Sequence, residues 1–310
     1  LYGQKKKKRK LGIICFEGNW HGRTMGSQMM SGDINQKKWI GFKDRNIHHL
    51  PFPYKSRLKK TSSENFLLNS LKKLEKKINL KKDVCGVMIE TFQGWGAVYY
   101  PKKYMKLLSK ICKKNNILVA FDEMQSGFAR TGHAFGYEHY KIKPDLLCCG
   151  KGMGGGVALS GVIGKKNIMD LPDVGNMSST NSANPIVCSA GLAVIEEIKK
   201  KKLVKASKEK GKILFKELNN IKNLFPNNIS EVNGKGLIAA IIFYKNKNIG
   251  STLKKIVEKC LEDGLLVVYT GRESIKIGPP LTISSSALRE GLQILKENIY
   301  KVFESKNGKN

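Results

Sequence analysis

The chain has 310 residues, a length that suits about two domains with a real core. Its 56 Lys and Arg against 25 Asp and Glu give a formal net charge of +31, a balance that ordinarily points to a polyanionic partner. The lysines are spread over every segment and aromatics are not interleaved with the basic runs, so nucleic acid is not the expected partner.

In chain order, residues 5–10, KKKKRK, read as a solvated turn ahead of a strand at Gly12–Phe16. Thr61-Ser62-Ser63-Glu64 reads as a capping box for a helix whose core face is Leu67, Leu71, Leu74 and Ile78. A strand is expected at Val84–Glu90, an amphipathic helix at 101–114, and an apolar strand at 117–121 that runs into Asp122. Leu146 to Cys149 form a second apolar run before Lys151, and 157–164 reads as a strand after it. Helices follow at 185–198 and 203–221, then strands near 236–244 and 265–269 and a last helix at 286–303. The alternation of strand and helix argues for an α/β fold with a mainly parallel, helix-covered sheet. The expected division is a large domain at 1–190, followed by linking helices and a small α+β domain at 191–310. No apolar run approaches a membrane span, so no membrane partner is expected. Seven cysteines, at 15, 85, 112, 148, 149, 188 and 260, form no metal-ligand spacing and are expected as buried thiols in a cytoplasmic setting. The five histidines also lack a ligand set, no metal is expected, and loop or surface roles are assigned to them.

The most informative stretch is 121–156. A carboxylate that ends a buried strand points into a crevice, and Lys151 is embedded among Gly150, Gly152, Gly154, Gly155 and Gly156, where backbone can approach a ligand closely. A lysine in a desolvated pocket becomes an amine nucleophile, and a buried acid facing a pyridinium nitrogen is the other half of pyridoxal phosphate chemistry.

DEMQSGFARTG at 122–132 followed by PDLLCCGKGMGGG at 144–156 closely resembles the class III aminotransferases, fold-type I pyridoxal phosphate enzymes that include ornithine, acetylornithine and 4-aminobutyrate aminotransferases. The resemblance extends through FEGNWHGRTMG at 16–26, IETFQGWGAV at 89–98, STNSANP at 179–185 and IKIGPPL at 275–281. It implies pyridoxal 5'-phosphate as cofactor and ping-pong amino transfer between a primary amine or amino acid and an oxo acceptor. An aminomutase, racemase or decarboxylase of the same fold, or a silent or nucleic-acid-binding relative, are the alternatives. By the resemblance Lys151 is the Schiff-base lysine, Asp122 pairs with the ring nitrogen, Gln125 contacts the ring hydroxyl and Trp20 stacks on the ring. Thr180 reaches the cofactor phosphate of a neighbouring subunit, which implies a homodimer with shared active sites. Glu90 opens the family's E-P-x-Q-G segment, with Thr91 in place of the proline, and Arg23 matches an arginine that binds a substrate carboxylate. Trp95 and Lys276 stand where many members carry a glutamate and an arginine that form a switchable ion pair, which argues against assuming 2-oxoglutarate as acceptor. The comparison also leads to the expectation that an N-terminal part bearing the phosphate-binding turn precedes Leu1.

Overall fold

The computed structural model describes residues 1–7 and 9–307; Lys8 of the KKKKRK run and the side chains of residues 5–7 and 305–307 lie outside the described residues. The chain divides into two compact units: Leu1–Gln93 with Tyr100–Gly127 and Gly136–Glu196, and Gly94–Tyr99 with Phe128–Phe135 and Glu197–Asn310. The second unit therefore takes in two short segments from within the 1–190 range in addition to the C-terminal part.

The strands are β1 Gly12–Phe16, β2 Ile47–Leu50, β3 Val84–Glu90, β4 Phe92–Gln93, β5 Val98–Tyr99, β6 Leu118–Asp122, β7 Leu146–Cys149 and β8 Gly161–Gly164, followed by β9 Ile229–Lys235, β10 Ile238–Phe243, β11 Val268–Tyr269 and β12 Ser274–Ile277. In the first unit the sheet order is β2-β1-β3-β6-β7-β8, parallel throughout except for antiparallel β8. Its central strands carry Ile14, Cys15, Phe16, Val87, Ile89 and Phe121, all buried, as strands covered on both faces require. Helices α1 Ser63–Glu75 and α2 Lys102–Lys114 pack side by side in this unit. On α2 the buried residues Tyr104, Met105, Leu108 and Cys112 recur at helical spacing, and the lysines take the opposite face.

Three local expectations change. The α1 cap is Ser62, one residue later than the expected box, with its hydroxyl accepting from the Asn65 amide at 3.1 Å, while Glu64 instead accepts from the Ser63 hydroxyl at 2.6 Å. The strand expected at 157–164 is confined to Gly161–Gly164 and follows a turn at Gly155 and Gly156, whose φ values are 61° and 111°. Lys10, assigned to a solvated run, is 7% exposed. Its ammonium donates to the carbonyls of Asn115 (2.9 Å) and Asn116 (2.8 Å), just past the C-terminus of α2, where orphan carbonyls gather.

In the second unit the antiparallel order is β11-β12-β10-β9. Helices α3 Leu203–Leu224, α4 Ile249–Glu262 and α5 Ser285–Asn307 supply its core with Leu214, Leu218, Leu253, Ile256, Leu292 and Leu295, against Ile241, Phe243 and Ile275 of the sheet.

Candidate active site

Parallel strands bring their carboxyl ends to one edge of a sheet, where ligands of open α/β sheets collect. Here β3 ends in Glu90 and β6 in Asp122, which are paired in register, and Asp122 pairs with Cys148 of β7, three residues before Lys151. Asp122 is 7% exposed. One of its oxygens, Oδ1, accepts the Met124 amide at 3.1 Å, and the other, Oδ2, lies 2.9 Å from His21 Nδ1. The His21 side chain is fully buried and its second ring nitrogen, Nε2, has no hydrogen-bond partner among the described residues.

The segment after β1 spans the two strand ends. The Trp20 amide donates to Glu90 Oε2 at 2.8 Å, and the next residue, His21, binds Asp122. The His21 amide in turn donates to the Ser31 hydroxyl at 2.8 Å. Arg23 lies over the Trp20 ring, 4.9 Å from guanidinium carbon to centroid, so it takes one face of the indole. Glu90, named for a substrate role, is 5% exposed and holds the Trp20 backbone.

Gln125 sits half-buried in the turn after Asp122. That turn is organised by its neighbour Glu123, which is fully buried. Its carboxylate accepts Thr91 Oγ1 (2.5 Å), Ser126 Oγ (2.6 Å), and the amides of Gly136 (2.8 Å) and Tyr137 (2.7 Å). Burial still pushes the Glu123 carboxyl above the usual range, against the pull of these four donors. Thr91, which replaces a proline of the resembled pattern, thus supplies one of them.

Lys151 opens a short turn after β7 in a left-handed conformation, φ 48°, and is exposed. No hydrogen bond joins it to Asp122 among the described residues. At the preceding position a Cβ on Gly150 would stand 2.5 Å from Met124 Sδ, so any side chain there would have to displace the Met124 side chain. Burial, with a smaller contribution from the Asp122 charge, raises the Cys148 thiol to about 11, which keeps it protonated beside the site. Thr180 is exposed on a turn closed by the Ser179 amide on Ser182 Oγ at 2.8 Å.

The remaining candidates, Trp95 and Lys276, belong to the second unit. The hydroxyl of Ser274 donates to the Trp95 carbonyl at 2.9 Å, and Arg272 stacks over the Trp95 ring at 4.9 Å. Lys276 is held on β12 between Ala240 and Val268 of the flanking strands. In the same unit Arg130 donates to the carbonyls of Leu237 (2.9 Å) and Pro279 (2.5 Å), so a buried guanidinium clasps the chain just after β12.

Sequence reading missed His21, Glu123, Arg130 and Arg272. The first three lie inside quoted motifs, where His21 follows the ring-stacking candidate directly and Glu123 follows Asp122; Arg272 carried no sequence signal. His21 lies in the loop after β1, within the expected loop or surface placement, but its side chain is buried, whereas His49 sits on β2, half-buried, with its ring held by the carbonyls of Met30 and Ser31 at 3.0 Å each. Among the described residues no helix is long and apolar enough to cross a membrane, and no cluster of His, Cys, Asp and Glu could hold a metal ion.

The sequence profile of the family described as "Aminotransferase class-III" matches residues 1–299. Acetylornithine aminotransferase of Clostridium acetobutylicum is 31% identical over 301 residues, covering 96% of this chain and 70% of that protein. The enzyme of the same name from Prochlorococcus marinus is 35% identical over 289 residues, covering 91% and 64%. The leucine/methionine racemase of Thermococcus litoralis is 33% identical over 308 residues, covering 96% and 69%. The chain thus spans between 64% and 70% of the length of these curated relatives. Among solved structures, one described as "Transaminase with L-ala" has a TM-score of 0.86 at 23% identity, covering 97% of this chain and 74% of that one, a likeness of fold.

Proposed function

The chain belongs to the class III aminotransferase family, and on that premise we propose that it acts as a pyridoxal-phosphate-dependent transaminase, moving an amino group from a primary amine or amino acid to an oxo acceptor. The observation that carries the reading is the buried Asp122 at the end of β6, backed by His21 and next to the strand that leads into Lys151.

The residues present fit the family's cofactor. An almost fully buried carboxylate suits a protonated ring nitrogen, the indole face of Trp20 opposite Arg23 suits a stacked ring, and the Lys151 amine suits the carbonyl carbon. Gln125 is assigned to the ring hydroxyl and Thr180 to the phosphate in the site of a second copy, so the working unit in this reading is a homodimer. When bound, the cofactor supplies an electron sink for the carbon that loses its proton.

The chain's own groups do the rest. Asp122, held by the Met124 amide and His21, keeps the ring-nitrogen proton in place. The Lys151 amine carries a proton between the two carbons that exchange it, as a general acid and base. Glu90 fixes Trp20 through its amide, and Arg23 stands beside it for a substrate carboxylate. Trp95 and Lys276 take the places of the family's switchable ion pair in this reading, and that exchange favours a smaller oxo acid or an aldehyde over 2-oxoglutarate. The buried thiols Cys15, Cys112, Cys149 and Cys260 support a reducing, cytoplasmic setting.

The test is borohydride reduction of the cofactor-loaded protein followed by peptide mapping. The pyridoxyl label is expected on Lys151, and a label on another lysine with Lys151 unmodified would overturn the assignment.

A further inference from the structure

The resemblance gives roles to Glu90 and Trp95 of the IETFQGWGAV segment and leaves the glutamine between them without one. Gln93, the last residue of β4, is fully buried. Its side-chain Oε1 accepts the Tyr54 hydroxyl at 2.6 Å, and its Nε2 donates to the Glu17 carbonyl at 2.5 Å and to Asn19 Oδ1 at 3.0 Å. Asn19, 1% exposed, donates in turn through Nδ2 to the Tyr100 hydroxyl at 3.3 Å.

Glu17 and Asn19 flank Gly18, so one amide grips the loop after β1 on both sides of its bend. Gly18 is left-handed, φ 78°, and a Cβ there would stand 2.7 Å from Tyr54 Oη and 2.9 Å from Gln93 Nε2. The loop backbone is moulded onto the amide at a position where glycine gives both the conformation and the close approach. The next two residues are Trp20, whose amide donates to Glu90 Oε2, and His21, whose ring meets Asp122. Glu90 at the end of β3 and Gln93 on β4 therefore fasten the same loop at two points. An amide suits the second point because it must accept once and donate twice. A carboxylate of the same shape only accepts, and would face the Glu17 carbonyl and Asn19 Oδ1 with no proton to share. A buried polar network whose members are satisfied rigidifies what it joins.

We infer that Gln93 is a positioning residue for the reaction: through Glu17 and Asn19 it sets the path of residues 17–21, and with it the seat of the Trp20 indole and of the His21 ring against Asp122. The inference rests on the transaminase reading. Its action is indirect, through the residues that it holds.

The test uses the full chain loaded with pyridoxal 5'-phosphate and compares Gln93→Glu and Gly18→Ala with the parent. The first removes the donors while keeping the shape, and the second presses on the same amide from the loop side. Visible circular dichroism of the bound cofactor reports how its ring is seated, and urea unfolding reports stability. Both variants are expected to lower that dichroism and to reduce turnover by about tenfold or more, the scale of a misplaced contact in a preorganised site. Leu67→Ala, which opens a cavity on the buried face of α1, controls for stability alone: it should lower the urea midpoint and leave the dichroism unchanged. Parent-like dichroism and turnover in a folded Gln93→Glu would overturn the proposal, as would an equal loss of dichroism in Leu67→Ala. If neither loop variant folds, Gln93 serves folding rather than positioning, and the proposal falls as well. A parent that takes up no cofactor overturns the transaminase reading and this inference with it, whereas normal loading with an unaffected Gln93→Glu counts against Gln93 alone.

Discussion

His21 Nδ1 and Asp122 Oδ2 lie 2.9 Å apart, while the other nitrogen of the same ring is buried without a hydrogen-bond partner among the described residues. One carboxylate oxygen is thus held by a side chain that makes no other hydrogen bond among the described residues, and the other by the Met124 amide.

Substitution should separate the two members of this pair. Asp122→Ala is expected to lower turnover by at least roughly a hundredfold, on the scale of other lost electrostatic contacts in active sites. His21→Phe preserves bulk but removes the bond that orients the acid, and a smaller fall of roughly tenfold is expected, on the scale of lost orienting partners elsewhere. Steady-state kinetics beside cofactor titration checks both, and turnover of His21→Phe equal to the parent would show that the bond is incidental.

Thr91→Val removes one of the four donors to the fully buried Glu123 while keeping the shape of the side chain. An under-served buried carboxylate costs on the order of 1–3 kcal/mol. Urea unfolding of the variant is expected to show a loss in that range, and an unchanged midpoint would mean that the remaining three donors suffice.

His49 gives the chain a pH dependence. Burial, followed by repulsion from Lys37, lowers its pKa below 6.5, and the carbonyls of Met30 and Ser31 oppose this only in part. A base whose pKa is lowered on folding contributes stability that is complete above its unfolded value and is lost as pH falls through the folded one. Stability should therefore decline as pH drops below about 6.5, the ordinary histidine value. His49→Gln should flatten that decline, leaving the contribution of His48, whose pKa burial also lowers. Parallel unfolding curves for parent and variant between neutral and mildly acid pH would contradict this.

Much of the first unit was legible because its strands are short, continuous apolar runs. Gly12–Phe16 and Val84–Glu90 fall where they were expected, and Leu118–Asp122 is displaced by a single residue. Asp122 and Lys151 stood out through their positions after such runs. What stayed hidden depends on side chains that meet across long separations. A histidine after a tryptophan has no periodicity to betray it, and the 101 positions between His21 and Asp122 can be closed only by the sheet. Arg272 sits in a turn, where pattern gives no orientation. The KKKKRK run misled for a different reason: six similar residues looked equivalent, yet the last of them is buried.

That last lysine joins positions 105 and 106 apart in the chain, and its two acceptors exist only once the helix before them has ended where it does. Closing so large a loop is entropically slow, so such a clasp fastens after the intervening strands have paired. An interaction absent from the folding transition state leaves the folding rate alone and governs the rate of opening. Lys10→Met should accordingly steepen loss of the native state in unfolding kinetics while refolding proceeds at the parent's pace, which makes a residue of the basic run a latch on the lifetime of the folded chain.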